Sequence, residues 1–436
     1  MISWLLRIVS VLAFVAAPAW AQQPPPQQTA DRPYRGLFGG GLGETDQLLT
    51  INGSISTGYD DNLLAQQGLG GNERLNSSGT YQQLDAGVAY AVQRRRFVLD
   101  ASAATSDRYT PVLSDSLISS HSGTFGASLE VSKRTRLTGR QTATYQPFYS
   151  LALFPSLVEA GAAAAQPSNP DLGAALERYI TYSGGLNVTH VMSRRTSIDA
   201  DYGYSRSDFR QVDRNFMSQR AGIGLSRVLT RRLSLRLGYG LTQADYRTAA
   251  DKFRVLSHTI DTGLGYARPL SRSSRITMSA SSGLSAITWR GTTSYRVVGD
   301  ARLNREIGRT WMASLAYNRS FGFVETFNEP FTQDALSFGV GGMINRRLQF
   351  RLALGRSAGK IGVTAPGNRF ATYYGTTGLT AGLTRYLGLG VDYSYFRYSF
   401  ENGDFLPFAV SPELNRQSVR AYFTVWVPLI HRQKVS

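Results

Sequence analysis

A strict two-residue alternation of apolar and polar side chains is the feature that most constrains how this chain folds. Over residues 232–242 one set of alternate positions holds four leucines and a tyrosine, and the other holds Arg, Ser, Arg, Gly, Gly and Thr. A β-strand places two such sets on opposite faces, and a helix does not. The same pattern recurs from Gln47 to Ile430, so the chain is predicted to be all-β.

The predicted strands fit a bilayer better than a soluble sandwich. They run for about 10–14 residues, near the length that a tilted transmembrane strand needs. Their polar faces are rich in Gly, Ser, Thr, Asp and Arg, which suits a wet interior. Tyrosine and tryptophan cluster near the strand ends, as in interfacial aromatic girdles. These girdle candidates are Tyr90, Tyr145, Tyr204, Tyr266, Trp289, Trp311, Tyr317, Tyr386 and Trp426.

The N-terminus predicts export from the cytoplasm. Residues 1–21 combine an arginine, an apolar run of ten and an Ala-Trp-Ala site, which is typical of a secretory signal peptide. Residues 22–46 are rich in Pro, Gln and Gly and are predicted to be a flexible periplasmic segment. The barrel is predicted over residues 47–430, followed by a tail over residues 431–436. No later stretch holds 18 consecutive apolar residues, which excludes a helical membrane protein.

Short and long connections alternate along the chain. Eight short turns and nine longer connections, among them 289–292, predict 18 strands; a count of 16 also stays open. An even count places both termini on one side, predicted to be the periplasm. Backbone groups in hydrocarbon must all be paired, so the strands are predicted to close into a transmembrane, antiparallel, up-and-down β-barrel.

The polar face carries the functional signal. Two interpretations stay open: a wall that favours anionic solutes or polymers, or Arg–Asp pairs that neutralise one another. The residues predicted to line the lumen are Asp85, Arg96, Asp100, Glu130, Arg136, Arg140, Asp199, Asp201, Arg220, Arg232, Arg236, Asp261, Arg275, Arg296, Asp300, Arg302, Arg351, Asp392 and Arg420.

Composition excludes several other functions. The chain has no cysteine, which excludes disulfides, thiol nucleophiles and Cys-ligated metals. Its four histidines form no metal or hydrolase motif, so no catalytic, cofactor or metal residue is predicted. A barrel hydrolase using His121 is the remaining enzyme hypothesis. The net charge of +17 is spread over every hairpin, which argues against nucleic-acid binding.

The longest connection, 146–178, holds several aromatic and leucine residues before an alanine-rich run. One interpretation folds it into the lumen as a constriction, and the other leaves it outside the mouth. The connection 398–415 is also rich in aromatics. Their rings could stack on sugars or pack within the loop.

Two short segments resemble a family of outer-membrane β-barrel porins associated with exopolysaccharide and capsule biosynthesis. Residues 56–63 (STGYDDNL) resemble the end of that family's first strand, and residues 415–429 resemble its closing strand. The resemblance implies a role in exopolysaccharide export, with an anionic polysaccharide and periplasmic export proteins as partners beside outer-membrane lipid. The alternative is a general or anion-selective diffusion porin. Outer-membrane barrels commonly end in an aromatic residue, whereas this chain continues past Ile430.

Overall fold

The computed structural model describes residue 37 and residues 45–433, apart from 64–77, 112–116, 147–177, 210–213, 249–251, 272–273, 309, 323–329, 363–367 and 402–411. The predicted signal peptide, most of the N-terminal segment and the 147–177 part of the longest connection lie outside the described residues. No helix among the described residues is long and apolar enough to span a membrane.

Eighteen antiparallel strands form one closed sheet. Each strand pairs with its neighbours in the chain, and β1 pairs with β18, which closes the ring. The predicted count of 18 is therefore confirmed. The strands are β1 (Thr45–Asp60), β2 (Gly79–Gln93), β3 (Phe97–Tyr109), β4 (Leu117–Ser132), β5 (Thr135–Gln146), β6 (Tyr179–Ser193), β7 (Thr196–Phe209), β8 (Arg214–Val228), β9 (Leu233–Thr248), β10 (Lys252–Ser271), β11 (Ser274–Trp289), β12 (Thr292–Ile307), β13 (Trp311–Gly322), β14 (Phe331–Asn345), β15 (Leu348–Ile361), β16 (Asn368–Gly382), β17 (Leu387–Phe400) and β18 (Glu413–Gln433).

The strands have one apolar, exposed face and one polar face. On β18, Val419 is 48% exposed and Phe423 is 38% exposed, whereas the alternating Arg420 and Tyr422 are buried. Large exposed apolar side chains lie in register across strands, as when Ile55 pairs with Leu84. In a closed ring the exposed apolar positions form the outward surface, which we call the apolar belt. The alternate positions form the inward face.

The sheet is longer at its ends than the sequence predicts. β1 begins at Thr45 and β18 continues to Gln433, so the predicted limits of 47 and 430 are too narrow. His431, predicted to begin a tail, pairs with Leu48. A register irregularity between Leu49 and Thr50 lets the two strands continue pairing beyond the point where the apolar alternation stops.

One connection predicted to be long is a tight turn. Only Arg290 and Gly291 separate β11 from β12, and their φ angles are 44° and 78°. Positive φ at both positions is the geometry of a two-residue hairpin turn of type I′.

Both chain ends of the sheet lie at the same end as the eight predicted short turns. We call this end of the barrel the turn end, and the opposite end the loop end.

The inward face changes character at the loop end, where aromatic side chains replace polar ones. Phe216, Tyr246 and Trp289 pack together there, and the rings of Phe216 and Tyr246 are 4.9 Å apart. On the opposite wall, the rings of Phe370 and Phe400 are 5.9 Å apart. Trp289 therefore belongs to an inward cluster, and its prediction as part of an outward girdle is wrong.

The same prediction is wrong for Trp426. Its cross-strand partner is Asn52, which alternates with the exposed Ile51 on β1, so Trp426 faces inward.

Candidate lumen wall

Most of the charged residues predicted to line a lumen lie on the inward face. The cross-strand pairing shows which way each charged side chain points. Each charged residue is paired with an inward residue of the next strand, and its two neighbours along its own strand face outward. The inward residues from the prediction are Asp85, Asp100, Glu130, Arg136, Arg140, Asp199, Asp201, Arg220, Arg236, Asp261, Arg275, Arg296, Asp300, Arg302, Arg351, Asp392 and Arg420. Arg96 and Arg232 lie outside the strands, in the β2–β3 and β8–β9 turns, so they are not part of the wall that the strands form. The strands begin one residue later, at Phe97 and Leu233.

Four further inward charges were missed by the sequence analysis. They are Asp60, Arg108, Glu306 and Arg416, each at or near a strand end. Their parity was available, since Arg416 lies four residues before Arg420 and Glu306 four residues after Arg302. With all four added and the two turn arginines removed, inward arginines and carboxylates nearly balance over the described strands. The positive charge of the chain therefore resides largely outside this wall.

Several inward carboxylates lie flat against a neighbouring glycine. A β-carbon added at Gly222 would come within 2.6 Å of Asp201 Oδ1, and one at Gly224 within 2.7 Å of Asp199 Oδ2. Each aspartate is the direct cross-strand partner of its glycine. The missing side chain of glycine leaves the space that the carboxylate fills. The wall therefore holds these charges along its surface.

On β7 to β10, the flattened carboxylates face arginines from the next strands. Arg220 Nε lies 3.8 Å from Asp201 Oδ2, and Arg236 Nη2 lies 4.0 Å from Asp199 Oδ2. Asp261 completes the group and lies against Gly238. A cavity of about 40 Å³ lies among these side chains. Alternating charges at these distances reduce the field that a passing ion meets.

A second group of charges lies near the closing seam. Asp392 accepts a hydrogen bond from Arg420 Nη2 at 2.8 Å, and Arg351 Nη2 lies 3.5 Å from its other oxygen. Arg351 also donates to the hydroxyl of Tyr422 at 3.3 Å, which is 2.6 Å from Thr380 Oγ1. Two arginines thus share one carboxylate, so this part of the wall is locally positive.

Two other inward carboxylates, Glu130 and Asp85, have close partners as well. Glu130 pairs with Arg136 at 2.6 Å. Asp85 accepts hydrogen bonds from Ser54 at 2.9 Å and from Ser106 at 2.6 Å. Of the two interpretations left open by the sequence, mutual pairing describes much of the wall. Local arginine excess, as around Asp392, describes the rest.

Among the described residues, His121 pairs with a threonine and not with a serine. His121 faces outward, where its Nδ1 lies 2.9 Å from Thr105 Oγ1 and its ring stacks on Tyr145. The outward serine nearby, Ser119, donates to Asp107 instead. Across the described part of the chain, no group of three or more His, Asp or Glu residues could hold a metal ion.

No protein-family model and no curated protein matches the chain. Solved structures similar to it include OpdL of Pseudomonas aeruginosa, with a TM-score of 0.44 and 11% identity, covering 88% of this chain and 99% of that one. OccK2 (OpdF) of the same organism has a TM-score of 0.46 and 7% identity, covering 88% of this chain and 98% of that one. OccAB4 of Acinetobacter baumannii has a TM-score of 0.44 and 11% identity, covering 89% of this chain and 100% of that one. Similarity at this level carries no argument about substrate or role.

Proposed function

We propose that the chain is a diffusion channel in the outer membrane of a Gram-negative cell. The observation that carries the proposal is the separation of faces around a closed ring: apolar side chains outside, polar and charged side chains inside. An outward apolar surface of this kind is stable in hydrocarbon. Barrels of about 16–18 strands enclose an aqueous lumen unless they are plugged.

The wall favours small hydrophilic solutes with a weak charge preference. Inward arginines and carboxylates nearly balance, and several pairs lie within 4 Å of each other. A wall of paired charges exerts a smaller net field than isolated arginines would. Local positive regions, such as Asp392 with its two arginines, bias the channel modestly toward anions.

Conductance in planar bilayers tests the proposal. The purified protein is expected to open an ion-conducting path without any partner. Substitution of Arg296 and Arg302 by Gln should shift the ion selectivity, read from the reversal potential, toward cations. Substitution of Asp199 and Asp201 by Asn should shift the selectivity toward anions. A unit charge about 7 Å from an ion in water changes its energy by ~0.6 kcal/mol, which is roughly a threefold change in its local concentration.

Export of an anionic polysaccharide is the rival function. No feature of the described residues favours it over the diffusion of small solutes. Carbohydrate outside the cell and in the periplasm should be measured in a strain that lacks the chain. Polymer trapped in the periplasm, together with a purified protein that does not conduct, would replace the diffusion channel by an export role. Normal secretion together with conductance would support the diffusion channel.

A further inference from the structure

A four-residue motif recurs at all eight turns of the turn end. It consists of an apolar residue, a polar or glycine residue, a Lys or Arg, and a fourth residue that is Arg in five cases. We call it the turn motif. Its eight copies are Val92–Arg95 (VQRR), Val131–Arg134 (VSKR), Met192–Arg195 (MSRR), Leu229–Arg232 (LTRR), Leu270–Ser273 (LSRS), Ile307–Thr310 (IGRT), Ile344–Arg347 (INRR) and Leu383–Tyr386 (LTRY).

The second residue of the motif shapes the turn. Ser193 Oγ accepts a hydrogen bond from the backbone N–H of Arg195 at 3.3 Å, and Asn345 Oδ1 accepts one from Arg347 at 2.8 Å. Ser132, Thr230 and Thr384 accept the same bond from the residue two positions later. Such a bond stabilises a turn by itself. Turn geometry therefore accounts for the second residue but not for a cation at every third position.

The first residue places the motif at the edge of the apolar belt. Val131 is 60% exposed, Met192 53%, Ile344 53% and Leu383 52%. The cation follows two residues later, which is about 7 Å along an extended chain. The headgroup layer beside the hydrocarbon core is of the same order of thickness. The six third-position cations that the structure describes, Arg94, Lys133, Arg194, Arg231, Arg346 and Arg385, thus lie at the depth of lipid headgroups.

The copies surround the ring, because each joins two strands that are neighbours in it. A discrete ligand would contact one or two adjacent turns. A cation in every turn fits a partner that surrounds the whole barrel. We infer that the turn end binds the headgroups of phospholipids with a net negative charge in its leaflet, through the third residues of the turn motif. The inference rests on the proposed membrane location but not on channel activity.

Lipid preference measures this binding directly. The purified protein is placed in detergent micelles that contain equal amounts of phosphatidylglycerol and phosphatidylcholine, and bound lipid is counted by native mass spectrometry. Each basic residue near an anionic headgroup is expected to favour phosphatidylglycerol roughly fivefold. Substitution of all eight third-position cations by Gln should lower the preference several-fold, although five fourth-position arginines remain in the same turns. The four-turn variant R194Q/R231Q/R346Q/R385Q should show an intermediate preference.

A matched control uses four outward arginines nearer the loop end, Arg247, Arg356, Arg369 and Arg397, each replaced by Gln. This control variant should keep most of the preference for phosphatidylglycerol. The variant R194K/R231K/R346K/R385K keeps the charge and should bind as the wild type does, which separates binding from misfolding. Equal losses in the control and the four-turn variant would overturn the inference, and so would an unchanged preference in the eight-turn variant.

Two further measurements distinguish lipid binding by the turn end from channel activity and from binding of another polyanion. The four-turn variant should conduct as the wild type does, so a lost lipid preference with intact conductance supports the inference alone. A wild type that conducts but shows no lipid preference would overturn the inference and leave the channel intact. Binding of soluble heparin by the turn end, without preference for phosphatidylglycerol, would assign the cations to another polyanion and overturn the lipid assignment.

Discussion

Arg416 on the last strand forms a bidentate ion pair with Asp60 on the first strand, and so ties the two ends of the ring together. Its Nε lies 2.9 Å from both carboxylate oxygens, and its Nη2 lies 2.7 Å from Oδ2. The Asp60 side chain is fully buried. Arg108 on β3 lies 3.5 Å from the same carboxylate and over the ring of Tyr81. One buried carboxylate therefore holds β1, β3 and β18 together at the loop end of the seam.

Loss of this carboxylate should destabilise the barrel strongly. Asp60→Asn leaves two buried arginines without their anionic partner, and breaking a buried pair in this way costs roughly 3–5 kcal/mol. Urea unfolding in phosphatidylcholine vesicles, followed by tryptophan fluorescence, measures the free energy. Asp46→Asn serves as the control, because its 3.7 Å pair with Arg94 is solvent-exposed and is expected to contribute under ~1 kcal/mol. Similar costs for both variants would contradict the assignment of the seam to Asp60.

The flattened carboxylates predict a contrast between two glycines that face each other. Gly222 and Gly240 are cross-strand partners on the inward face. A β-carbon at Gly222 would displace Asp201, whereas one at Gly240 would meet nothing within 4 Å. Gly222→Ala should therefore push the Asp201 carboxylate away from Arg220 and into the lumen, with a change in ion selectivity. Gly240→Ala should leave selectivity unchanged.

Bilayer recordings at two salt gradients compare the two alanine variants. Their unfolding free energies should differ by under ~1 kcal/mol, because the displaced atoms are the end of a flexible side chain. Identical reversal potentials in the two variants would show that the position of Asp201 does not matter for permeation.

Adjacent alanines on opposite faces test which side of the wall meets lipid. Ala103 pairs with the outward Val88, and Ala104 pairs with the inward Gly87. Ala103→Arg places a charge toward hydrocarbon near mid-strand and should cost roughly 2–4 kcal/mol of unfolding free energy in vesicles. Ala104→Arg places it toward the lumen and should cost less, while changing conductance. A larger cost for Ala104→Arg would reverse the two faces.

The turn end is expected to face the periplasm. Bacterial outer-membrane barrels place short turns on that side and longer loops outside. An epitope appended after Ser436 should bind antibody only after the outer membrane has been permeabilised. An epitope inserted within residues 402–411 should bind antibody on intact cells. The opposite labelling pattern would invert the barrel and move the turn motif to the outer leaflet.

The alternation of side chains was sufficient to predict the strands and their faces. Leu235 faces outward and Arg236 inward, as the pattern around them predicts. The aromatic layer at the loop end was harder to predict. Trp289 looks like a girdle residue in the sequence, because aromatic side chains at a strand end occur on either face. Its packing against Phe216 and Tyr246 appears only when β8, β9 and β11 are placed side by side.

The sequence by itself determined the all-β class and the face of nearly every charged residue, because side-chain direction in a strand depends only on local parity. It predicted 18 strands but left 16 open, and the paired ring settled the count. The tertiary structure alone decided which charges meet. Asp392 contacts Arg351 and Arg420, which are 41 and 28 residues away, and Asp60 contacts Arg416 at a separation of 356. A two-residue shift in register would keep every side chain on its face but change every cross-strand partner. Turn geometry and closure of the ring select one register, and that register decides which inward arginine meets which inward carboxylate.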